Sequence, residues 1–140
     1  ELGDKRVFWV HTKALVLNIV FAWEHAVALT SSREKGFIAS HRFPMYVPKN
    51  NRVDLDFMAM FFLRKNGKYL LGVASPGGAG RNKTLGQSNF GALKVAFPCL
   101  EEQKKITSVV KKIDEKINLA QQQIEQTQAY KRGLLQQMFV

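Results

Sequence analysis

Three glycines, a lysine and a threonine occur together in the stretch SPGGAGRNKTL, residues 75–85. Glycine-rich loops that end in Lys and Thr hold nucleotide phosphates on backbone N–H groups. From Gly77 the stretch is one residue away from the pattern G-x-x-x-x-G-K-[ST], because Asn82 replaces the last glycine. Such a loop must join a buried strand to a helix. The following LGQSNFG is a poor helix start and leads to a predicted strand, so we expect no nucleotide hydrolysis here.

Other catalytic and metal sites have weak support in the sequence. Ser40 and His41 are neighbours in an extended segment, so their side chains point to opposite faces and cannot pair as nucleophile and base. Asp54 and Asp56 lack the third acidic group of a nuclease centre. One cysteine, Cys99, and three histidines make a zinc site improbable. We therefore expect no catalytic residue, no metal and no cofactor.

Contact with nucleic acid is the remaining chemistry for the glycine-rich stretch. Glycines between residues 77 and 80 permit positive φ and close approach to another backbone. Arg81 and Lys83 can neutralise phosphates, and Arg81 or Asn82 can read base edges. A plain structural turn is the alternative, and the stretch by itself does not distinguish the two.

The charge of the chain favours a polyanionic partner. The 140 residues carry a net charge of +10, which is large for one domain. Residues 1–100 hold 14 Lys and Arg against 6 Asp and Glu, a net charge of +8, whereas residues 101–140 hold 7 against 5, a net charge of +2. The polyanion surface therefore belongs to the first region.

The compartment is expected to be the reducing cytoplasm. A single cysteine permits no internal disulfide. The first residues lack the basic and then apolar order of a secretory leader. The most apolar stretch, residues 14–29, is interrupted by Asn18, Glu24 and His25 and is too short and too polar to span a bilayer. No membrane partner is expected.

One long helix is predicted after Pro98. Residues 101–139 contain no proline, and their only glycine is Gly133. At about 1.5 Å per residue the helix would be on the order of 55 Å long. Alternating steps of four and three define a heptad seam, whose members are Ile106, Val110, Ile113, Ile117, Ala120, Ile124, Thr127, Lys131, Leu134 and Met138. A narrow seam on so long a helix favours a partner helix, although an amphipathic helix lying on its own domain is the alternative.

The first region mixes strands and helices. LVLNIVF, HAVALT and the segment FIASHRFPMYVP are predicted to be extended, the last with Pro44 at an edge or bulge. VDLDFMAMFFLRK predicts a helix with Asp54 as its N-cap and a buried stripe of Leu55, Met58, Phe61 and Phe62. GKYLLGVA predicts a second short helix or a helical turn, and FGALKVAFP a strand at residues 90–98. The pattern indicates an α+β fold followed by one long helix.

The junction between these regions resembles a known family. A strand, a Pro-x-Leu-x-Glu-Gln junction, an I..ID..I rhythm and a K..LLQ ending are similar to a repeat in specificity subunits of type I restriction-modification enzymes. The matching residues are Pro98, Leu100, Glu102, Gln103, Ile106, Ile113, Asp114, Ile117, Lys131, Leu134, Leu135 and Gln136. LNIVFAWEHAVAL, GFIASHRFPMY and SPGGAGRNKTL also resemble one subclass of its recognition domains.

The resemblance implies a non-catalytic, sequence-specific DNA-binding chain. Residues 1–98 would form a mixed-sheet target recognition domain that reads one half of a bipartite double-stranded DNA target. Residues 99–140 would form a coiled-coil helix that acts as a spacer and as a dimerisation element. The same helix would dock methyltransferase subunits and, through them, restriction subunits. The family usually carries two such domains and two helices, so this chain is expected to be a half-subunit or fragment that pairs with itself or with a second half-subunit.

The candidate contacts with DNA are basic and polar side chains of the first region. They are Arg81, Asn82, Lys83, His41, Arg42, Lys49, Arg52, Arg64, Lys65 and Lys68. Arg81, Asn82, Lys83, His41 and Arg42 are the candidates for base contacts, and the others for phosphate contacts or solvated turns. Two alternative functions are a coiled-coil adaptor with incidental basic charge and, with less support, a nuclease.

Overall fold

A computed structural model describes residues 6–77 and 83–139 of the chain. The chain divides into two compact units, Glu1–Lys104 and Lys105–Val140. The first unit contains the strands and the short helices, and the second is the continuation of the long helix. The division falls a few residues after Pro98. The predicted α+β fold with one long C-terminal helix is confirmed.

Two small antiparallel sheets form in the first unit. In one, β1 (Val7–Trp9) pairs with β4 (Ile38–Ser40). In the other, β2 (Leu15–Leu17) is central between β3 (Val27–Leu29) and β5 (Met45–Tyr46). Every described pairing is antiparallel, rather than part of the mixed sheet that the sequence predicts.

The strands are shorter than the apolar pattern predicts, and side-chain chemistry explains where β2 ends. The Asn18 side chain accepts a hydrogen bond from the N–H of Val20 at 2.9 Å, a local turn that competes with strand pairing. The extended segment around Pro44 divides into β4 and β5, which join different sheets. A turn at residues 41–44 therefore passes the chain from one sheet to the other.

Both predicted short helices are present. Helix α1 spans Leu55–Phe62, and its N-cap Asp54 accepts a hydrogen bond from the N–H of Phe57 at 2.9 Å. Helix α2 spans Lys65–Val73. The expected stripe of α1 packs inward: Phe62 is buried, and Leu55, Met58 and Phe61 pack against the core.

The predicted strand at residues 90–98 is wrong. Phe90 lies in a short helix α3 (Gln87–Gly91), and residues 93–99 have no regular secondary structure. The aromatic side chains of this segment are used for packing. Phe90 contacts Tyr46 and Phe62 at ring-centroid distances of 4.9 and 5.4 Å. Phe97 meets Phe57 and Phe61 edge-on, so an apolar run that resembles a strand serves instead to cover helix α1.

The core of the first unit lies between helices α1 and α2 and the three-stranded sheet. Its buried members come from β2, from helices α1 and α2 and from the segments that follow β2 and α2, and are Leu15, Leu17, Ala22, Ala59, Phe62, Leu71, Ala74 and Leu85. Helix α4 (Leu100–Met138) then runs without interruption, in agreement with the prediction of a proline-free helix.

Gly67 sets the close approach of helices α1 and α2. A Cβ atom at this buried position would come within 2.2 Å of the carbonyl oxygen of Phe61 and 2.4 Å of the Cα of Phe62. Both neighbours are backbone atoms, so the helices would have to separate. We expect Gly67→Ala to lower the free energy of unfolding by about 1–3 kcal/mol, measured by urea denaturation.

Gly72 in the same helix provides the control. A Cβ there meets nothing within 4 Å, so Gly72→Ala should raise stability by up to about 1 kcal/mol through helix propensity. Equal effects of the two substitutions would contradict a packing role for Gly67.

Candidate nucleic-acid interface

The candidate contacts fall on separate parts of the first unit. His41 and Arg42 lie in the turn between β4 and β5, and Lys49 and Arg52 lie in the segment before α1; all four side chains are exposed. Three more cations lie at the start of α2. Arg81 and Asn82 lie outside the described residues, as do Gly78 and Gly80.

Lys83, the described residue of the predicted loop tip, has a partner. Its Nζ lies 5.5 Å from the ring centroid of Trp23, and the indole of Trp23 donates a hydrogen bond to the carbonyl of Val20 at 3.0 Å. A cation–π contact at a partly exposed site contributes about 0.5–1 kcal/mol. Lys83 is therefore half-buried and packed on a ring, whereas the other described candidates are exposed.

Ile19 holds two candidate segments at one point. Its N–H donates to the carbonyl of Arg42 at 3.0 Å, and its carbonyl accepts from the N–H of Leu85 at 2.7 Å. The turn that carries His41 and Arg42 and the chain directly after Lys83 are thus both bonded to the same residue. The structure therefore brings these two candidate segments together.

The cations of α2 form a cluster at an uncapped helix start. Arg64 is the N-cap residue and makes no side-chain cap hydrogen bond, and the first turn holds no acidic residue. The N–H of Lys68 donates to the carbonyl of Arg64 at 2.9 Å, so Arg64 and Lys68 are one turn apart, with Lys65 between them. Cations at a helix N-terminus oppose its macrodipole, and a phosphate bound there would relieve this repulsion while accepting from free N–H groups.

A buried amide secures the segment with Lys49 and Arg52. Gln103, in the first turns of α4, is only 1% exposed. Its Oε1 accepts from the N–H of Asp54 at 2.9 Å, and its Nε2 donates to the carbonyls of Arg52 at 3.0 Å and Pro98 at 2.8 Å. These bonds join three stretches of backbone within the first unit. The sequence singles out Gln103 as a junction residue, but not these partners.

Sequence reasoning did not identify an open groove of about 790 Å³ beside β1. We call it the aromatic groove and define it by Arg6, Phe8, Trp9, His11, His41 and Phe43, which line it. Of these, only His41 is a candidate from the sequence. The signal available was the pair of adjacent large aromatics, Phe8 and Trp9, of which at most one can face the core from a strand.

The glycine-rich stretch departs from a phosphate loop at its N-terminal flank, because the element before it is helix α2, where such a loop needs a strand. On the C-terminal side the expectation of a poor helix start followed by a strand is wrong, since the five-residue helix α3 follows. Among the described residues, no cluster of three His, Cys, Asp or Glu side chains is placed to hold a metal ion. No described helix is long and apolar enough to cross a membrane.

Within residues 6–77 and 83–139, two groups have shifted pKa values, and both shifts come from local structure. The backbone N–H and then the hydroxyl of Ser31 donate to Glu34, at 2.7 and 2.9 Å, and lower the pKa of that carboxyl. Burial raises the pKa of Tyr46, which packs on Phe90. Neither residue belongs to the candidate contacts, so both shifts are accounted for by the fold.

The seam of α4 is exposed along the second unit. Ile113, Ile117 and Ile124 are each at least half exposed. Ala120, Gln123, Ile124 and Thr127 surround a concavity on the helix, and their spacing i, i+3, i+4, i+7 is that of a hole that accepts a knob from a facing helix. The hydroxyl of Thr127 donates to the carbonyl of Gln123 at 2.8 Å. This polar seam residue therefore satisfies its hydrogen bond within the helix.

Comparison with known families agrees with these features. Residues 13–129 match the family described as the type I restriction modification DNA specificity domain. The match covers most of the basic unit and the long helix, so the chain belongs to this family. The family is defined by DNA specificity rather than by catalysis. No solved structure matches the chain.

The role of the Gln103 amide can be tested with Gln103→Met, which preserves size and helix propensity. Each buried polar group left without a partner costs about 1–3 kcal/mol. Three backbone groups lose theirs, so we expect urea denaturation to show a loss of at least about 2 kcal/mol. Gln122→Met, at an exposed position of the same helix, should change stability by less than about 0.5 kcal/mol. Similar stability of the two variants would contradict the anchoring role.

Proposed function

We propose that residues 1–98 read one half of a bipartite DNA target and that residues 99–140 position methyltransferase subunits and, through them, restriction subunits. The observation that carries this proposal is the family match over residues 13–129. The charge distribution supports it, since the excess of +8 lies in residues 1–100 and α4 is nearly balanced. By itself the chain neither cleaves nor methylates DNA, and it works in the cytoplasm.

The candidate contacts divide by what they can do. Arg64, Lys65 and Lys68 at the start of α2 bind phosphates, because their charges and the free N–H groups there favour an anion. Lys49 and Arg52 also bind phosphates. Base readout belongs to Arg81 and Asn82 and to the turn with His41 and Arg42, which the two hydrogen bonds of Ile19 hold near the chain that follows Lys83.

Base and phosphate contacts predict different responses to substitution. The site is first identified by assembling the chain with its cognate methyltransferase subunit and mapping the methylated DNA. Binding of that site and of a scrambled duplex is then measured by anisotropy at several salt concentrations. Arg81→Ala should reduce the preference for the site by about 1–3 kcal/mol. Lys49→Ala should keep the preference and lower the salt slope by about one.

Lys112→Ala provides the control, because it removes the same charge from an exposed position on α4 and should leave the slope unchanged. If Arg81→Ala and Lys49→Ala weakened all DNAs alike, the assignment of base readout to the loop would be wrong. If the chain bound no methyltransferase subunit, the proposed assembly would be wrong.

The exposed seam of α4 supports pairing with a second copy about a two-fold axis. In an antiparallel pair centred on Gln122, each seam residue of one copy faces a residue of the second copy that lies equally far from Gln122 on its other side. This register pairs all ten, as Val110 with Leu134, Ile117 with Thr127, Ile124 with Ala120, Lys131 with Ile113, and Met138 with Ile106. A shift by one heptad leaves seam residues unpaired.

Size and charge favour the same register. Ile124 of the second copy enters the hole beside Ala120, so a large side chain meets a small one. Lys131, the one charged seam residue, lies beside Asp114 of the second copy, which follows Ile113 in the sequence. Two such Lys–Asp pairs form about the axis, one at each end of the seam.

Disulfide trapping tests this register. In a Cys99→Ser background, which removes the exposed natural thiol, Gln121→Cys should give a covalent dimer on oxidation, because the two copies of residue 121 flank the axis. Ile113→Cys should not, since its copies would be about 27 Å apart along the axis (18 residues at about 1.5 Å each). A parallel pair would give the opposite result. A strictly monomeric mass at high concentration would contradict self-pairing.

A further inference from the structure

The aromatic groove presents three aromatic side chains to solvent. Trp9 is 71% exposed, Phe8 54% and Phe43 38%. The groove runs between β1 and the turn at residues 41–45 and is bounded by Ile19 and Gln87. Its volume of about 790 Å³ exceeds what one planar nucleobase needs. Large exposed aromatics grouped around a concavity are typical of a binding surface.

The polar lining of the groove is basic. Arg6, His11 and His41 line it, and none of the described lining residues is acidic. A second groove of the same unit, of about 910 Å³, includes the carboxylates of Asp54 and Asp56. The aromatic groove is therefore the one of the two that suits a ligand with an apolar planar part and a negative charge.

The walls of the groove are tied together by hydrogen bonds. The N–H of His41 donates to the carbonyl of Arg6 at 3.1 Å, which holds these two residues together at one end of the β1–β4 pair. The N–H of His11 donates to the sulfur of Met45 at 3.3 Å. Ile19 is bonded to Arg42, as described above. The aromatic and basic side chains thus project from backbone that is already fixed.

We infer that the aromatic groove binds an unstacked nucleotide base, with its phosphates on Arg6 and the neighbouring basic residues. Aromatic faces stack on any base, and the amide of Gln87 has the donor and acceptor that an adenine edge requires. The inference rests on the proposed binding of DNA by this unit. Beyond that proposal, the inference gives the unit a preference for DNA in which one base has left the stack.

The chemistry of the lining favours a base over an apolar peptide segment as the occupant. A peptide would use the aromatics but leave three basic groups without a partner, whereas a nucleotide uses both. Extrusion of a base costs least where the base is already unpaired. The unit should therefore bind a duplex with a single bulged base more tightly than the intact duplex.

The test compares two fluorescein-labelled duplexes of arbitrary sequence at low salt, one intact and one with an unpaired adenine at its centre. The complete chain should prefer the bulged duplex by about tenfold. Trp9→Ala should remove most of this preference and leave binding of the intact duplex within about twofold. Trp9→Phe keeps a stacking face and should keep the preference.

Tyr69 provides the matched control, because it is 71% exposed, like Trp9, but lies on helix α2. Tyr69→Ala should leave the preference unchanged. A second readout does not depend on the folding of Trp9→Ala: the bulged duplex should quench tryptophan emission of the natural chain, and the quenching should be lost in Trp9→Phe, which retains Trp23.

The outcomes separate this inference from the function on which it rests. If neither duplex bound, the proposed DNA binding itself would fail. Binding without preference for the bulge, a preference that survives Trp9→Ala, or quenching that persists in Trp9→Phe would overturn the groove assignment alone. Quenching by an apolar peptide, with no response to the bulged duplex, would overturn it in favour of a protein partner.

Discussion

The first unit depends on strand β2 and its extension to Ile19. Leu15 and Leu17 are almost fully buried and form the floor of the core on which α1 packs. The same strand pairs with β3 on one side and β5 on the other. At the end of the strand the N–H of Leu17 donates to the carbonyl of Pro44, and beyond it the N–H of Ile19 donates to the carbonyl of Arg42 and its carbonyl accepts from the N–H of Leu85. Burial thus fixes the strand, and the strand fixes the segments that flank the candidate interface.

Local signals in the sequence were sufficient for helices α1 and α4, but not for α3. The Asp54 cap, the stripe that ends at Phe62 and the proline-free run after Pro98 each depend on neighbours within a few residues, and each corresponds to a helical feature of the fold. The prediction of a strand at residues 90–98 was wrong because an apolar run does not reveal whether its residues pair in a sheet or cover a helix. Phe90 and Phe97 cover α1, and this use depends on contacts distant in sequence.

The candidate site was predictable in charge but not in shape. Counting Lys and Arg places the basic excess in the first region. The aromatic groove, however, needs Arg6 beside His41, residues that only the pairing of β1 with β4 brings together. The same limit applies to Lys83, whose contact with Trp23 crosses 60 residues of chain. From its position in the sequence Lys83 is a candidate contact with DNA, and the sequence does not reveal that its ammonium group contacts the ring of Trp23 in the fold.

The Gln103 anchor has a consequence for how the chain can diversify. All three of its partners are main-chain groups, the N–H of Asp54 and the carbonyls of Arg52 and Pro98. The exposed side chain of Arg52 takes no part in the anchor, although its carbonyl does. Surface side chains in this stretch, such as that of Arg52, can therefore be replaced during evolution without loss of the hydrogen bonds that hold the first turns of α4. Sequence variation on this face of the first unit is thereby uncoupled from the backbone geometry at the start of the helix.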